Sequence, residues 1–311
     1  MERIVLMGTP QFAVPTLEML IENFNLVGVV TQPDRPRGRG KKLGPPPAKI
    51  VAVAHGIPVL QPQTLRDPEA VARLAALEPD LIITAAFGQI LRAEVLNLPP
   101  RGVVNVHASL LPRWRGAAPV AAAIRAGDRE TGVTLMQTDE GMDTGPILVR
   151  RAVPIRPDHV QGALAQELAQ VGADLLRETL PRLFRGELTP QPQDDALATL
   201  APRLKKEDGR IDWAEPALAI ERQVRAFDPW PGTFTTWRDE SLKILKASAQ
   251  NVELGQEPPG KVFVPAGRKA VWVATGQGVL QLLQVQTPGK RPMPPLALAN
   301  GAPDFIGAVL G

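Results

Sequence analysis

Short apolar runs alternate with helical patterns through the first half of the chain, and this alternation restricts the choice of fold more than any other feature. The apolar runs predict strands at residues 3–7, 26–31, 58–60, 81–85 and 103–107. The segments between and after them predict helices, among them residues 47–55, 68–77 and 117–126. This order is typical of a mostly parallel sheet that helices cover on both faces. Ligands of such sheets bind beyond the carboxyl ends of the strands, so polar residues there are the first site candidates.

The sequence pattern and the composition both change after a long amphipathic helical pattern at residues 158–184. Two predicted strands, 131–137 and 147–153, precede this helix, and a stretch rich in proline and acid follows it. That composition is typical of an interdomain linker. Short β-like runs then predict a small barrel, at residues 233–237, 242–247, 260–264, 270–274 and 279–286. We therefore predict two domains and a linker between them, at residues 1–188, 207–311 and 189–206.

The composition excludes several classes of site. The 311 residues contain no cysteine, which excludes a disulfide framework, a thiolate nucleophile and a cysteine metal site. No histidine pair has metal-ligand spacing, and neither a dinucleotide fingerprint nor a phosphate loop follows the first strand. Ser109 lacks the flanking glycines of a serine-hydrolase elbow. No apolar stretch reaches the roughly 18 residues that cross a membrane, and no signal-peptide layout is visible, so we expect a cytoplasmic protein.

Asn105 and His107 stand two residues apart at the end of a predicted strand, in the run Val-Asn-Val-His-Ala-Ser. Side chains at that spacing point to the same face of a sheet. Asp143 lies in the turn-rich segment 139–146, which can bring its carboxylate to the end of a neighbouring strand. An amide donor, an imidazole and a carboxylate together suit the attack of an amine on a formyl or acyl carbon. Taken singly, a histidine at a strand end is more often structural, and an aspartate in a turn is more often a turn residue.

Two clusters of positive charge stand out in a chain whose net charge is only +3. The first contains Arg35, Arg37, Arg39, Lys41 and Lys42, with glycines between them that predict a mobile loop. The second contains Lys261, Arg268, Lys269, Lys290 and Arg291, and the chain after residue 258 has a single acid, Asp304. Two separate basic surfaces favour a polyanionic partner. The alternative is that the first cluster is a solvated loop and the second a solvated face.

Four segments carry a resemblance to a known family, residues 8–12, 31–42, 105–119 and 136–146. The pattern Asn-x-His, Ser-Leu-Leu-Pro and a later Asp is typical of the folate-dependent formyltransferase superfamily. The basic loop and the continuation Arg-Trp-Arg-Gly-Ala-Ala-Pro are narrower signals. With them, the chain resembles the methionyl-tRNA formyltransferases over essentially its full length.

This resemblance implies that the chain transfers the formyl group of 10-formyltetrahydrofolate to the amino group of methionyl initiator tRNA, supporting translation initiation. It implies a Rossmann-like N-terminal domain, a barrel-like (OB-like) C-terminal domain that also contacts tRNA, and a monomer that uses no metal. The catalytic residues that it implies are Asn105, His107 and Asp143. The residues that it places at the folate are Phe87, Gly88, Gln89, Ile90, Ser109, Leu110, Leu111 and Pro112. The residues that it places at the tRNA are Arg35, Arg37, Arg39, Lys41 and Lys42.

Two other functions remain open at this point. A formyltransferase for a small amine, such as a glycinamide nucleotide or an amino sugar, would share the catalytic residues but would not need the basic loop. A non-catalytic RNA-binding protein on a borrowed enzyme fold would keep the basic surfaces. It would not need Asn105, His107 and Asp143 together, and failure to bind a folate would favour it.

Overall fold

The computed structural model describes residues 2–37, 42–252 and 257–311. It divides into two compact units, each built from three stretches of chain. Unit 1 consists of Met1–Pro119, Glu130–Pro154 and Leu164–Pro202. Unit 2 consists of Val120–Arg129, Ile155–Ala163 and Arg203–Gly311.

A mostly parallel sheet forms the centre of unit 1. The strands described in this unit are β1 (Arg3–Gly8), β2 (Asn25–Val30), β3 (Arg35–Arg37), β4 (Lys42–Gly44), β5 (Val59–Leu60), β6 (Leu81–Ala85), β7 (Val103–His107), β8 (Arg115–Gly116), β9 (Glu130–Gln137), β10 (Ile147–Pro154) and β11 (Leu200–Ala201). Seven of them form the sheet in the order β10-β9-β7-β6-β1-β2-β5. Strand β7 pairs in parallel with β6 and antiparallel with β9. The Rossmann-like α/β fold predicted for this half of the chain is confirmed.

Most of the described helices lie where the sequence patterns predict them, with small shifts at their ends. Those described are α1 (Val14–Asn23), α2 (Pro47–Ala54), α3 (Pro68–Ala75), α4 (Ala93–Leu96), α5 (Pro119–Ala126), α6 (Gln161–Phe184), α7 (Ala217–Ala226) and α8 (Pro295–Gly301). Single turns of 3-10 helix occur at Gln11–Ala13, Asp195–Leu197, Lys206–Gly209 and Pro303–Phe305. Helix α3 illustrates a local cause, because the Asp67 carboxylate accepts a hydrogen bond from the Glu69 amide and caps its first turn. Helices α4 and α8 are too short to show a periodic pattern, and the sequence did not predict them.

The central strands of unit 1 are buried on both faces. All five residues of β6 are buried, and Val5, Met7 and Val30 of the neighbouring strands form one apolar cluster with Ile82 and Val103. This explains why these strands appear in the sequence as continuous apolar runs. The core therefore fixes the end of β7, where Asn105 and His107 lie.

Strands β3 and β4, which include the described ends of the basic segment 35–42, form a hairpin. Strand β3 pairs antiparallel with β4, and Arg35 aligns with Gly44. Residues 38–41, which include Arg39 and Lys41, lie outside the described residues. The predicted mobility of this loop therefore stays a prediction.

Unit 2 contains a curled antiparallel sheet. Its strands are β12 (Thr233–Trp237), β13 (Glu240–Gln250), β14 (Val262–Phe263), β15 (Val271–Ala274) and β16 (Val279–Gln286), in the order β12-β13-β16-β15-β14. Strand β13 is longer than the predicted 242–247 because it pairs with both β12 and β16. Register shifts along its pairing with β16, between Ile244 and Ala247, increase the local twist. The barrel-like fold predicted for this region is confirmed as a half-barrel.

The proline-rich segment after α6 is hydrogen-bonded within unit 1. Strand β11 pairs in parallel with β8, and Gln191 pairs with Ile147. The chain passes to unit 2 at Arg203. The predicted domain limits at residues 188 and 206 stay predictions. Among the described helices, none has the length and apolar character needed to span a membrane.

The close approach of α6 to the sheet yields a stability prediction. A Cβ atom at Gly172 would lie 2.7 Å from Val106 Cγ1 of β7. We expect Gly172→Val to lower the free energy of unfolding by about 1–3 kcal/mol, because the added atoms overpack the interface between α6 and β7. Urea denaturation measures the change. Gly301→Ala, at a glycine that faces open space, is the control and should stay within about 0.5 kcal/mol of the parent. Equal midpoints for both variants would contradict the packing described.

Candidate active site

Two polar side chains project from the end of β7, next to the end of β6. Thr84 of β6 is the register partner of Asn105. The Thr84 hydroxyl donates to Asn105 Oδ1 at 2.8 Å. This bond leaves the Asn105 Nδ2 group free to donate on its other side. Thr84 is a site residue that sequence reasoning missed, and its only signal was a hydroxyl within an apolar run that ends beside Asn105.

Asp143 reaches this strand end from the turn between β9 and β10. Asp143 adopts a positive φ of 54°, and the turn is held by hydrogen bonds to Asp139 from Thr144 Oγ1 at 2.8 Å and the Gly141 amide at 3.1 Å. A Cβ atom at Gly145 would collide with the Gln137 carbonyl oxygen, so glycine is required for this close approach. These contacts give the turn the tight shape in which the Asp143 carboxylate points toward β7.

The Asp143 carboxylate contacts three groups. Asn105 Nδ2 donates to Oδ1 at 3.3 Å, and the Gly116 amide donates to Oδ2 at 2.8 Å. His107 Nδ1 lies 3.5 Å from Oδ2, an ion-pair distance rather than a strong hydrogen bond. The carboxylate is thus bound most tightly by the backbone and more loosely by the two β7 side chains.

His107 has an acceptor at each ring nitrogen. Its side chain is 6% exposed, with Nδ1 facing Asp143 and Nε2 lying 3.0 Å from the Trp114 carbonyl oxygen. Trp114 has a positive φ of 64° that allows its carbonyl to face the ring. A ring that carries protons on both nitrogens would satisfy both acceptors.

The structure brings together the three residues predicted to be catalytic. Asn105 supplies an amide donor, His107 an ionisable ring and Asp143 a carboxylate that is 19% exposed. Fixed donors of this kind can stabilise an oxyanion, and the imidazole and carboxylate can move a proton. The arrangement is suited to the addition of an amine to a carbonyl carbon.

The residues predicted at the folate follow the ends of two adjacent parallel strands. Phe87–Ile90 come after β6 and Ser109–Pro112 after β7. Ile90 is exposed, whereas Phe87 and Leu111 are buried. Ser109 is also buried, and its hydroxyl donates to the Arg113 carbonyl oxygen at 2.6 Å. Its hydroxyl therefore holds the turn after β7.

The base of the basic hairpin is connected to the loop after β6 through Gln32. Gln32 Nε2 donates to the carbonyl oxygens of Phe87 and Gly88 at 3.1 and 3.2 Å, and Arg35 donates to Gln32 Oε1 at 2.5 Å. Asp34, two residues after Gln32, accepts a hydrogen bond from Gln61 and contacts Lys49. The hydrogen bond from Gln61 first, and then the contacts with Lys49, hold the pKa of the Asp34 carboxyl below its usual range. Of the predicted tRNA-binding side chains, the structure places Arg35, which is exposed, on this base.

The second basic cluster lies entirely in unit 2. Lys261 Nζ donates to the Gly307 carbonyl oxygen at 2.6 Å, and the Arg268 guanidinium stacks over Trp272. Lys269, Lys290 and Arg291 are exposed. Within the described ranges, no group of three or more histidine and acidic side chains is arranged to hold a metal ion.

Family models match both halves of the chain. The chain matches the family described as "Formyl transferase" over residues 2–180, and "Formyl transferase, C-terminal domain" over residues 203–303. A methionyl-tRNA formyltransferase of Chloroflexus aurantiacus is 52% identical, and the match covers 94% of each chain. One of Roseiflexus sp. is 54% identical over 94% of this chain and 90% of the relative.

Solved structures share the fold at lower identity. A HypX variant from Aquifex aeolicus matches 98% of this chain with a TM-score of 0.62 and 20% identity, and the chain spans about half its length (50%). A methionyl-tRNA formyltransferase from Clostridium thermocellum matches 81% of this chain and 96% of its own, with a TM-score of 0.56 and 18% identity. Together with the two family matches, which cover most of the sequence, these findings show that the chain belongs to the formyl transferase family.

Proposed function

We propose that the chain transfers the formyl group of 10-formyltetrahydrofolate to the amino group of methionyl initiator tRNA and so supports translation initiation. The observation that carries the proposal is the contact of Asp143 with both Asn105 and His107 at the end of β7. Two relatives that are 52% and 54% identical over 94% of the chain are named methionyl-tRNA formyltransferase. The basic residues 35–42 add the charge that an RNA substrate needs.

In the proposed reaction, the methionyl amine attacks the formyl carbon, a new C–N bond forms, and the bond to the folate nitrogen breaks. Negative charge develops on the formyl oxygen during the attack. Asn105 Nδ2 donates to this oxygen, and His107 Nε2 donates to it in exchange for its present acceptor, the Trp114 carbonyl oxygen, while Nδ1 faces Asp143. The proton that the amine loses passes to Asp143, directly or through a water, and from there to the folate nitrogen as its bond to the formyl carbon breaks. Thr84 prepares Asn105 for this role because it occupies Oδ1 and leaves Nδ2 to donate.

The folate donor is the source of the formyl group, and two loops would hold it. The loops after β6 and β7 lie at the carboxyl edge of the sheet, where ligands of such sheets bind. Ile90 offers 77% of its surface there, which suits contact with a flat ring system. In this proposal the enzyme works as a monomer, needs no metal ion and acts in the cytoplasm because translation begins there.

Removal of the His107 ring should reduce turnover strongly. We expect His107→Ala to lower kcat about 10²- to 10³-fold, because one donor to the developing oxyanion is lost. The assay measures formyl transfer to methionyl initiator tRNA, with circular dichroism to confirm that the variant is folded. The matched control is His55→Ala, at an exposed histidine that forms the C-terminal cap of α2. This variant should keep wild-type turnover. Wild-type turnover in folded His107→Ala would contradict the catalytic assignment.

Salt should weaken the reaction through the tRNA and not through the folate. We expect the apparent affinity for tRNA to fall with a log–log slope of roughly −0.7 to −0.9 per phosphate contact. Replacing Arg39 and Lys41 by glutamine should raise the KM for tRNA and make this slope shallower, with the KM for the folate unchanged. Arg73→Gln, at an exposed arginine of α3, is the control. A KM for the acceptor that does not respond to salt would favour a small amine substrate.

A further inference from the structure

A glutamine in the segment between α6 and β11 holds the turn that contains Asp143. We propose that Gln193 is a positioning residue for formyl transfer, because it fixes the backbone of this turn and thereby the Asp143 carboxylate. The inference rests on the proposed function, since it requires that Asp143 acts in the reaction. The segment was predicted only as a linker, and nothing in its composition points to the site.

Both polar ends of the Gln193 side chain are engaged. Nε2 donates to the Asp143 carbonyl oxygen at 2.8 Å and to the Gly145 carbonyl oxygen at 2.7 Å. Oε1 accepts from Arg115 Nε at 3.0 Å. Because a guanidinium can only donate, the amide oxygen must face Arg115 and the amide nitrogen must face the turn. The side chain is therefore held in the one orientation that clamps both carbonyls.

Arg115 is itself fixed, so the clamp has a rigid base. Its side chain is 7% exposed, and Nη2 donates to Asp195 Oδ1 at 2.8 Å. Two residues of the same segment, Gln193 and Asp195, thus bind one buried arginine. These two bonds tie the segment to Arg115, because a buried guanidinium that loses its acceptors is costly.

The same segment also fixes the backbone that contacts the catalytic groups. The Trp114 amide donates to Thr199 Oγ1 at 2.9 Å, and the Arg115 amide donates to the Thr199 carbonyl oxygen at 2.8 Å. The next peptide, at Gly116, donates to Asp143 Oδ2, and the Trp114 carbonyl faces His107. Residues 193–201 therefore hold two sides of the site, the turn at 143–145 and the strand at 114–116.

The site is sensitive to small movements of this turn. Asp143 contacts Asn105 and His107 at 3.3 and 3.5 Å, near the outer limit for a useful hydrogen bond. A small displacement of the turn would break these contacts while the fold of the sheet is retained. A residue that clamps the turn should then affect turnover more than stability or substrate binding.

The first test is Gln193→Ala, assayed with the full chain. We expect kcat to fall about 10- to 100-fold, with both KM values within about threefold of wild type, because the catalytic geometry is loosened. Gln193→Glu should lose at least as much, because a carboxylate cannot donate to the two carbonyls and yet can pair with Arg115 to keep the fold. Gln191→Ala is the matched control, since this nearby amide contacts Thr189 at 3.3 Å and not the turn. Wild-type kcat in both Gln193 variants would overturn the inference.

The second test separates positioning from a general structural role. In an Asp143→Ala background, adding Gln193→Ala should change the residual rate less than about twofold, because the group that Gln193 positions is already gone. A further loss as large as in the wild-type background would overturn the inference and leave the proposed function intact. Wild-type activity of Asp143→Ala alone would contradict the proposed function and the inference with it.

Discussion

The carboxylate of Asp143 lies between the Asn105 amide, the His107 ring and the backbone amide of Gly116, and the rest of the site depends on its position. From this position the carboxylate orients the Asn105 amide, which donates to it, and the His107 ring, whose Nδ1 faces it. It comes from a turn and not from a strand, so no regular pairing holds it. Its place is set by the glycines and Asp139 inside the turn, and by Gln193 outside it.

The sheet supplies the fixed half of the site. Parallel pairing of β6 with β7 brings Thr84 to Asn105, and antiparallel pairing of β7 with β9 brings Thr134 to His107. Thr134 Oγ1 donates to the Ser109 carbonyl oxygen at 2.6 Å and accepts from the Leu111 amide at 3.1 Å, so the turn after β7 is held by β9. Buried hydroxyls that are fully bonded in this way make the strand end rigid. Preorganised donors are what an oxyanion site requires.

The parts of the molecule that sequence alone could predict are those with local patterns. Strands β6 and β7 are continuous apolar runs, and the spacing of Asn105 and His107 places both on one face. The hairpin at β3 and β4 was missed because each strand has only three residues. The stretch between the two strands is charged and contains glycine, which gives no strand pattern. Gln193 was missed for another reason: its partners at residues 143 and 145 are close in space but far in sequence. An amide in a proline-rich segment has no periodicity that could reveal such contacts.

The proposed function requires that this site transfers a formyl group to the amine of one particular RNA. The most direct measurement follows labelled formyl from 10-formyltetrahydrofolate to methionyl initiator tRNA, with methionyl elongator tRNA and a small free amine in parallel. We expect stoichiometric labelling of the initiator tRNA and little labelling of the other two acceptors. No transfer to initiator tRNA, or equal transfer to the small amine, would contradict the proposed function.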